Sequence, residues 1–467
     1  MAQINKPGDH FNTKIYTGNG STQSITGVGF QPDWTWIKSR SATTSHQLYD
    51  ATRGATKRLV SQNDSAQDTA TNGLTAFDSD GFSLGTDGSS NGSSANYVSW
   101  NWLAAGTAPS KTYTVKVVSD SGNKYRFDDF GTSAVTLELS EGGTYTFDQS
   151  DSSNSGHPLR FYTASDKSGG EYTTGVTTNG TPGSSGAYTR ITVASSAPTL
   201  YYQCSAHAGM GGQANTPTTN SFSNFAGSIQ SNISPNTTAG FSIVSYTGNG
   251  TAGATIGHGL GVAPKVVIIK NLSASYRWVV GHDSLTSWDY YLSLNENSAQ
   301  TNGNNTFNDT APSSTVVTLG NNTGVNTNGS NYIAYCFAEK KGYSKFGGYT
   351  GNGNANGTFV YTGFKPAFIM FKRTDTTGDW VMKDNKRSGT AALQNFGQMN
   401  PNQTQHPSAN QTNAENKASA LAMDILSNGF KPRGTDTDIN ASSGTYIYMA
   451  FAEEPLVGTN NIPATAR

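Results

Sequence analysis

The sequence predicts an all-β protein built from three related β-sandwich repeats, with a fourth, different module between the first and the second. Three observations predict it. First, Tyr16-Thr17-Gly18-Asn19-Gly20 recurs at Tyr246-Thr247-Gly248-Asn249-Gly250 and at Tyr349-Thr350-Gly351-Asn352-Gly353. The last two copies are 103 residues apart and the first two 230 apart, leaving room for a foreign module after the first repeat. Second, each copy continues in the same way, through a short apolar run to an aromatic closing strand. Third, Gly makes up 53 of the 467 residues while charged residues are only 13%, about half the usual share of ~25%. Such a chain turns often, and its polar surface is Asn, Thr, Ser and Gly.

The elements follow in order. After each pentapeptide come a glycine, an apolar residue, a proline, and a lysine six residues beyond the proline: Gly29, Phe30, Pro32, Lys38; Gly259, Leu260, Pro264, Lys270; Gly363, Phe364, Pro366, Lys372. Apolar runs opened by proline fit a buried strand with Pro at its first position. An aspartate follows at nearly constant spacing, Asp50, Asp283 and Asp384. The closing strands are Tyr97 to Trp102, Tyr332 to Phe337 and Tyr446 to Phe451. Ser79-Asp80-Gly81-Phe82 and Ser427-Asn428-Gly429-Phe430 read as two-residue hairpin turns, with glycine supplying positive φ. Repeat 2 has Asn322-Thr323-Gly324-Val325 where that turn is expected. The best helix candidate is Asn413 to Leu426. The boundaries are 1–109, 110–226, 227–342 and 343–467. Tandem modules of this kind usually present surface many times over rather than build one catalytic centre.

Composition excludes several classes. Net charge is −1 with no basic block, so nucleic-acid binding by counterion release has no cationic face. No apolar run is long enough to span a membrane, and the start, MAQINKPGDHFN, has no apolar signal core. His-Glu-x-x-His and a Ser/His/Asp arrangement are not evident, and Gly-Asn-Gly lacks the lysine and helix of a phosphate loop. Asp50/Arg53 and Asp384/Arg387 share a spacing, and that recurrence favours a structural ion pair over a catalytic one. Asp148 and Asp151 read as a solvated turn. Cys204 and Cys336 lie in different modules and make a poor disulfide framework; Cys336 reads as a small buried residue. Trp34/Trp36 and Trp100/Trp102 alternate, so each pair faces one side of a strand. Exposed, they would stack on sugar rings; buried, they would fill the core, and the aliphatic Val266 and Ile268 at the first pair's counterparts favour burial.

The inserted module, 110–226, contains none of the seven tryptophans. Tyr113 to Val118, Val135 to Leu139 and Thr144 to Phe147 read as strands. His157 precedes Cys204-Ser205-Ala206-His207-Ala208-Gly209-Met210 by 47 residues. One His, then Cys-x-x-His-x-x-Met, is a mononuclear copper ligand order: a thiolate and two imidazoles in a plane, a thioether along the axis. The module resembles the cupredoxins, small Greek-key sandwiches, and its loop spacing is closest to that of amicyanin. The resemblance implies His157, Cys204, His207 and Met210 as metal ligands and copper as the candidate cofactor. The alternative is a cupredoxin-like fold that keeps the loop without metal. Two departures stand out: Pro158 occupies the place of the Asn that ties the ligand loops together in many cupredoxins, and Gln213 to Pro217 has little β propensity for the strand due after the Met.

The whole chain resembles structural proteins of tailed bacteriophages, marine and cyanobacterial phages especially, in both the repeat and the module ending Tyr-Tyr-x-Cys-x-x-His-x-Gly-Met-Gly-Gly. The resemblance implies a non-enzymatic virion protein, made in the host cytoplasm and exposed on the particle. It would be a tail fibre or adhesin touching host-surface polysaccharide, or a capsid decoration knob. Other virion proteins would be partners, nucleic acid and membrane would not, and a homo-trimer is the expectation by analogy with tail appendages. The binding residues for a receptor are unknown at this level. The competing class is a copper protein with a redox role, and a third reading is a carbohydrate-binding module outside any virion.

Overall fold

The chain was described in a computed structural model, which covers residues 2–105, 108–387, 405–406, 408–417 and 421–456. It is all-β, with one-turn α-helices at Gly88–Asn91, Asn304–Phe307 and Thr437–Asn440 and 3-10 turns at Pro7–Asp9 and Ser152–Asn154 among the described residues. Residues 418–420 of the helix expected over Asn413 to Leu426 lie outside the described residues, and among the described ones no helix forms: Asn416–Lys417 and Met423–Leu426 are strands. The second of these pairs with Gly429–Pro432, and its Met423 and Ile425 fill a core. Burial on a sheet outweighs the helix preference of Ala, Leu, Met and Lys in this stretch.

Each repeat carries a central antiparallel four-strand unit. In repeat 1 the order is Phe11–Thr17, Asn96–Trp102, Trp34–Ser39, Gln47–Asp50. Repeat 2 places Phe241–Thr247, Asn331–Phe337, Val266–Asn271 and Val279–His282 in the same order within an eight-stranded sheet, and repeat 3 uses Ser344–Thr350, Thr445–Pro455, Phe364–Arg373 and Val381–Asp384. A smaller sheet covers the outer face of each, containing Gly81–Leu84, Val316–Leu319 or Gly429–Pro432. The third strand of each unit is buried on both faces, hence its continuous apolar run. Trp34 and Trp36 point inward and Ile37 outward; Val266 and Ile268 inward, Val267 and Ile269 outward; Phe368 and Met370 inward, Ile369 and Phe371 outward. Proline does not open these strands as expected. Pro32 and Pro264 precede them, and Pro366 sits at a bulge inside Phe364–Arg373, where its missing N–H costs no ladder bond.

The three inward faces meet in one shared core, to which every repeat contributes. Trp34 stacks on Tyr335 with ring centres 4.5 Å apart, Phe11 on Phe451 at 5.4 Å, and Trp102 meets Phe368 edge-on at 5.6 Å. Trp34, Trp36, Trp100 and Trp102 are each 0–1% exposed, so they are no sugar platform. A buried aromatic of this size removes 150–250 Å² from water, about 4–6 kcal/mol each.

Recurrent polar residues close the repeats into a ring, always in one sense. Lys38 Nζ donates to Thr412 O of repeat 3 (3.2 Å) and to Ser39 O (3.0 Å). Lys372 Nζ donates to Asn297 O and Ser298 O of repeat 2 (3.2 and 2.8 Å). Lys270 Nζ donates to Asp64 O of repeat 1 (3.0 Å), with Asn271 O and Tyr276 O nearby (3.1 and 2.8 Å). A second position repeats the pattern: Trp380 Nε1 donates to Ser293 O and Trp278 Nε1 to Val60 O, both at 2.9 Å. In repeat 1 this position is His46, whose Nδ1 accepts from Trp36 Nε1, leaving Nε2–H to donate to Ser408 O at 3.1 Å. Burial holds His46 well below the usual histidine range, in keeping with that neutral tautomer.

The aspartate assignment needs one correction. Asp50 pairs with Trp34 across the sheet and Asp384 with Phe368, but in repeat 2 the residue opposite Val266 is His282. Asp283 is its exposed neighbour, bound to Lys265. The three equivalents bridge to the next closing strand. Asp50 Oδ2 accepts from Tyr335 OH (2.7 Å), Asp384 Oδ2 from Trp100 Nε1 (3.0 Å), and His282 Nε2 donates to Tyr448 O (3.1 Å). Tyr335 and Trp100 supply donors, whereas the equivalent Met449 supplies none, so the backbone carbonyl beside it is used. Asp50–Arg53 (2.5 Å) and Asp384–Arg387 (2.6 Å) are buried ion pairs bracing these loops.

The pentapeptide also has a structural task. Tyr16, Tyr246 and Tyr349 stack on Tyr97, Tyr332 and Tyr446 at 4.8–5.2 Å. The following Gly-Asn-Gly wraps a fully buried asparagine: Asn91, Asn326 or Asn440. Its Oδ1 accepts from the N–H of Asn19, Asn249 or Asn352, and its Nδ2 donates to Gly85, Gly320 or Gly434 O. A Cβ on Gly18, Gly248 or Gly351 would lie 2.3–2.4 Å from a backbone oxygen. Because Gly320 matches Gly85, the Asn322 to Val325 segment corresponds to residues 87–90, which begin the Gly88–Asn91 turn. The hairpin-turn equivalent in repeat 2 therefore lies before Val316, not at Asn322 to Val325. In the other repeats the loops are Ser79-Asp80 and Ser427-Asn428. The glycines open the next strand, where a Cβ on Gly81 or Gly429 would lie 1.9–2.0 Å from Ile25 O or Val360 O. Close strand approach, more than turn φ, demands glycine there.

Candidate metal centre

The inserted module is a sandwich of two sheets. One runs Asn123–Phe127, Ser110–Ser119, Thr144–Asp148, Tyr188–Thr192, Val176–Asn179; the other Leu137–Glu138, Gln213–Asn215, Leu200–Cys204, Leu159–Tyr162. Both contain a parallel pair, which a hairpin cannot make and a crossover connection can. Gln213–Asn215 forms its strand against expectation, because Ala214 is buried between Leu137 and Leu200 and pairing on both sides outweighs weak propensity.

The strand ends position the site. Leu200–Cys204 alternates Leu200, Tyr202 and Cys204 into the module's core, so Cys204 is buried where its strand stops and the loop begins. His157 precedes the paired strand, with Leu159 opposite Cys204. Three donor atoms thus converge: Cys204 Sγ lies 3.8 Å from His157 Nδ1 and 3.5 Å from His207 Nδ1. The two imidazoles are 4.6 Å apart by ring centre, and the three ligand atoms lie within 4.8 Å of one another. Donors at about 2.0–2.3 Å from one ion in a trigonal plane stand about 3.5–3.8 Å apart, so these side chains fit a mononuclear ion of the softer kind. Cys204 is buried, His157 half-buried and His207 exposed, so one edge of the site faces solvent. Met210 is 1% exposed in the same hydrophobic cluster as Cys204. Burial, then the neighbouring His207, lowers the His157 pKa, which favours the neutral imidazole that a metal needs.

The loops are held from behind. With Pro158 in place of Asn, the tie between them is backbone: Ser205 N donates to Pro158 O at 3.0 Å. Tyr125 OH and Gln149 Nε2 both donate to His157 O (2.8 and 2.9 Å), and Tyr125 N donates to Met210 O (2.9 Å). Lys167 Nζ reaches Cys204 O (3.2 Å), Ser205 O (3.3 Å) and His207 O (3.5 Å), and Lys124 Nζ donates to Gly209 O. None of these supports was read from the sequence. Lys167 and Gln149 stand in other loops, with no spacing to mark them. The other carboxylates considered are turn-formers: Asp148 accepts from Ser150 N, and Asp151 caps a one-turn helix at Ser153 N.

Comparison with known proteins places the chain by its repeats. A family model described as a domain of unknown function, DUF7483, matches residues 6–134 and 214–455. The chain belongs to that family. The gap between the matched segments holds most of the inserted module and all four candidate ligands. No curated protein and no solved structure matches the chain.

Proposed function

We propose that this member of the DUF7483 family is a structural protein on the exterior of a tailed-phage particle, an adhesin-type component that touches host-surface polysaccharide. The observation that carries this reading is what the repeat spends its recurrent residues on. The stacked tyrosines, wrapped asparagines, bridging lysines and Asp/His positions all hold the modules together or close their turns, and none converges on a catalytic cleft. What is left to differ between copies is surface. The resemblance to phage structural proteins supplies the setting. Mass spectrometry and electron microscopy of purified particles test it: the chain appears on the outside of mature virions, and its absence there refutes the reading. A capsid-knob location in the same maps would favour decoration over tail attachment.

A second reading concerns the inserted module, and one specific observation favours it. His157, Cys204 and His207 present a thiolate and two imidazoles at separations suited to one copper ion. Bound copper would supply one-electron chemistry, with Met210 the candidate axial thioether. Titration of purified protein with Cu(II) is expected to produce an intense visible thiolate-to-copper absorption that Cys204→Ala abolishes. A colourless, stoichiometry-free titration would leave the module a metal-free sandwich.

A further inference from the structure

Where repeat 1, repeat 2 and the inserted module meet, they leave a cleft of about 580 Å³, within the ~300–1,000 Å³ range of small-ligand sites. We propose that this cleft is a binding site for a neutral oligosaccharide. The inference rests on the reading above that the protein touches glycans, and it names where.

The walls are fixed by hydrogen bonds between modules. Gln230 Nε2 of repeat 2 donates to Thr136 O of the insert at 2.7 Å. Glu138 N donates to Ser223 Oγ (2.9 Å) and Tyr113 OH to Ser223 O (2.8 Å), tying the body of the insert to its own last strand, Phe222–Asn224, which joins repeat 2's sheet. Gln67 N of repeat 1 donates to Leu272 O of repeat 2 at 3.3 Å. Walls that are already ordered lower the ordering cost of binding.

The lining leaves hydrogen-bonding capacity unspent, and of both kinds. Gln67 Nε2, Asn232 Nδ2 and Asn331 Nδ2 are donors without a protein partner among the described residues, while their oxygens already accept from Arg53, Ser223 and Thr247. Gln230 Oε1 and Glu138 Oε2 are acceptors in the same state, since Gln230 uses its Nε2 and Glu138 its Oε1, which takes Asn215 Nδ2 at 2.7 Å. Sugar hydroxyls both donate and accept, so a wall offering planar amides and one carboxylate matches them, and they take the places of the waters that a polar cleft otherwise holds. The charge balance excludes phosphate and acidic sugars. Arg53 is the cation in the lining, and it is spent on Asp50 at 2.5 Å, on Lys57 O and on Gln67 Oε1. Glu138 carries the uncompensated charge. Tyr246 and Tyr332 stack on each other behind the cleft and are 5% and 0% exposed. Recognition is therefore by edge hydrogen bonds, without ring stacking. Thr136 and Glu138 lie in the segment outside the family match, so the insert gives this chain a wall that repeats alone do not build.

The test uses the full chain on arrays of neutral hexose and N-acetylhexosamine oligosaccharides, with sialylated and phosphorylated ones alongside. Gln67→Ala/Asn331→Ala and, separately, Glu138→Gln are compared with a Thr178→Ala surface control, after thermal melts confirm folding. The expected result is binding to a neutral oligosaccharide, weakened at least about tenfold by the double variant, as two lost hydrogen bonds predict, and unchanged by the control. Undiminished binding in the cleft variants overturns this site while leaving glycan adhesion standing elsewhere. Preference for the acidic sugars overturns the neutral assignment. No glycan binding by a chain that is present on particles overturns the cleft and leaves decoration as the role.

Discussion

Replacing Lys270 by methionine tests whether the ring is held by its buried lysines. Lys270 is 0% exposed, and its ammonium donates to three carbonyls at 2.8–3.1 Å, one of them across the seam to repeat 1. Hydrogen bonds from a charged donor contribute about 1.5–3 kcal/mol each, so three contribute about 4.5–9 kcal/mol. Against that stands the cost of burying the charge. Burial pulls the Lys270 pKa from 10.5 down to about 8, which corresponds to about 3 kcal/mol against the ammonium. Methionine removes that cost and packs comparably, but it leaves the carbonyls of Asp64, Asn271 and Tyr276 without this donor. The hydrogen bonds win, and the expected net loss is about 2–5 kcal/mol. Urea unfolding followed by tryptophan fluorescence measures it, because the shared core holds Trp278 and the repeat 1 tryptophans. Lys265→Met is the control: its lysine is exposed and pairs with an exposed Asp283, worth about 0–1 kcal/mol. The sign with pH is also fixed. Since the folded pKa lies below the unfolded one, the unfolded chain binds the proton more tightly between pH 8 and 10.5. Wild type therefore gains stability relative to Lys270→Met as pH rises through that window. A Lys270→Met loss no larger than that of Lys265→Met would refute the reasoning.

Four further outcomes are expected. Asn326→Ala removes the acceptor of the Asn249 N–H and leaves the buried Gly320 carbonyl without its donor, and costs about 1–3 kcal/mol, read from the same denaturation curves. Trp100→Phe keeps the aromatic packing but removes the donor to Asp384 and costs about 1–3 kcal/mol; a neutral result would show that the Asp384–Arg387 pair is self-sufficient. Burial pushes the Cys336 thiol up to about 12, so N-ethylmaleimide at pH 8 labels Cys336 only after unfolding, as peptide mass mapping will show. Burial also raises Asp438 from 3.8 to about 6. Stability attributable to it is full below pH 4 and is lost as pH rises through 6, and Asp438→Asn flattens that segment of the pH–stability profile.

The repeat, its closing strands and the apolar runs were legible because burial on both faces writes itself as uninterrupted hydrophobicity. The metal-ligand candidates were legible for a similar reason: the residues must crowd one loop, and Cys204, His207 and Met210 do. What escaped was long-range partnership. The lysine recurrence was visible, but not that each ammonium serves the preceding repeat around the ring, because its acceptors are backbone carbonyls with no side-chain signature. His282 was passed over for Asp283 by matching residue type. Spacing was the better guide, since Asp50, His282 and Asp384 all lie twelve residues after the lysine. Asn91, Asn326 and Asn440 carried a readable signal too, each standing six residues before the closing strand's tyrosine. The shared core could not be read at all, because inward and outward apolar residues look alike along a strand with no solvent face.

Joining three copies in one polypeptide has an evolutionary consequence. In an assembly of identical subunits every mutation appears at all seams at once, and a histidine replacing an aspartate must be tolerated thrice. Here each seam drifts alone: one has Asp50 with Tyr335, one Asp384 with Trp100, one His282 with a carbonyl. The same freedom lets a whole extra sandwich be spliced beside a single copy, giving a scaffold of threefold ancestry a surface with only one such feature.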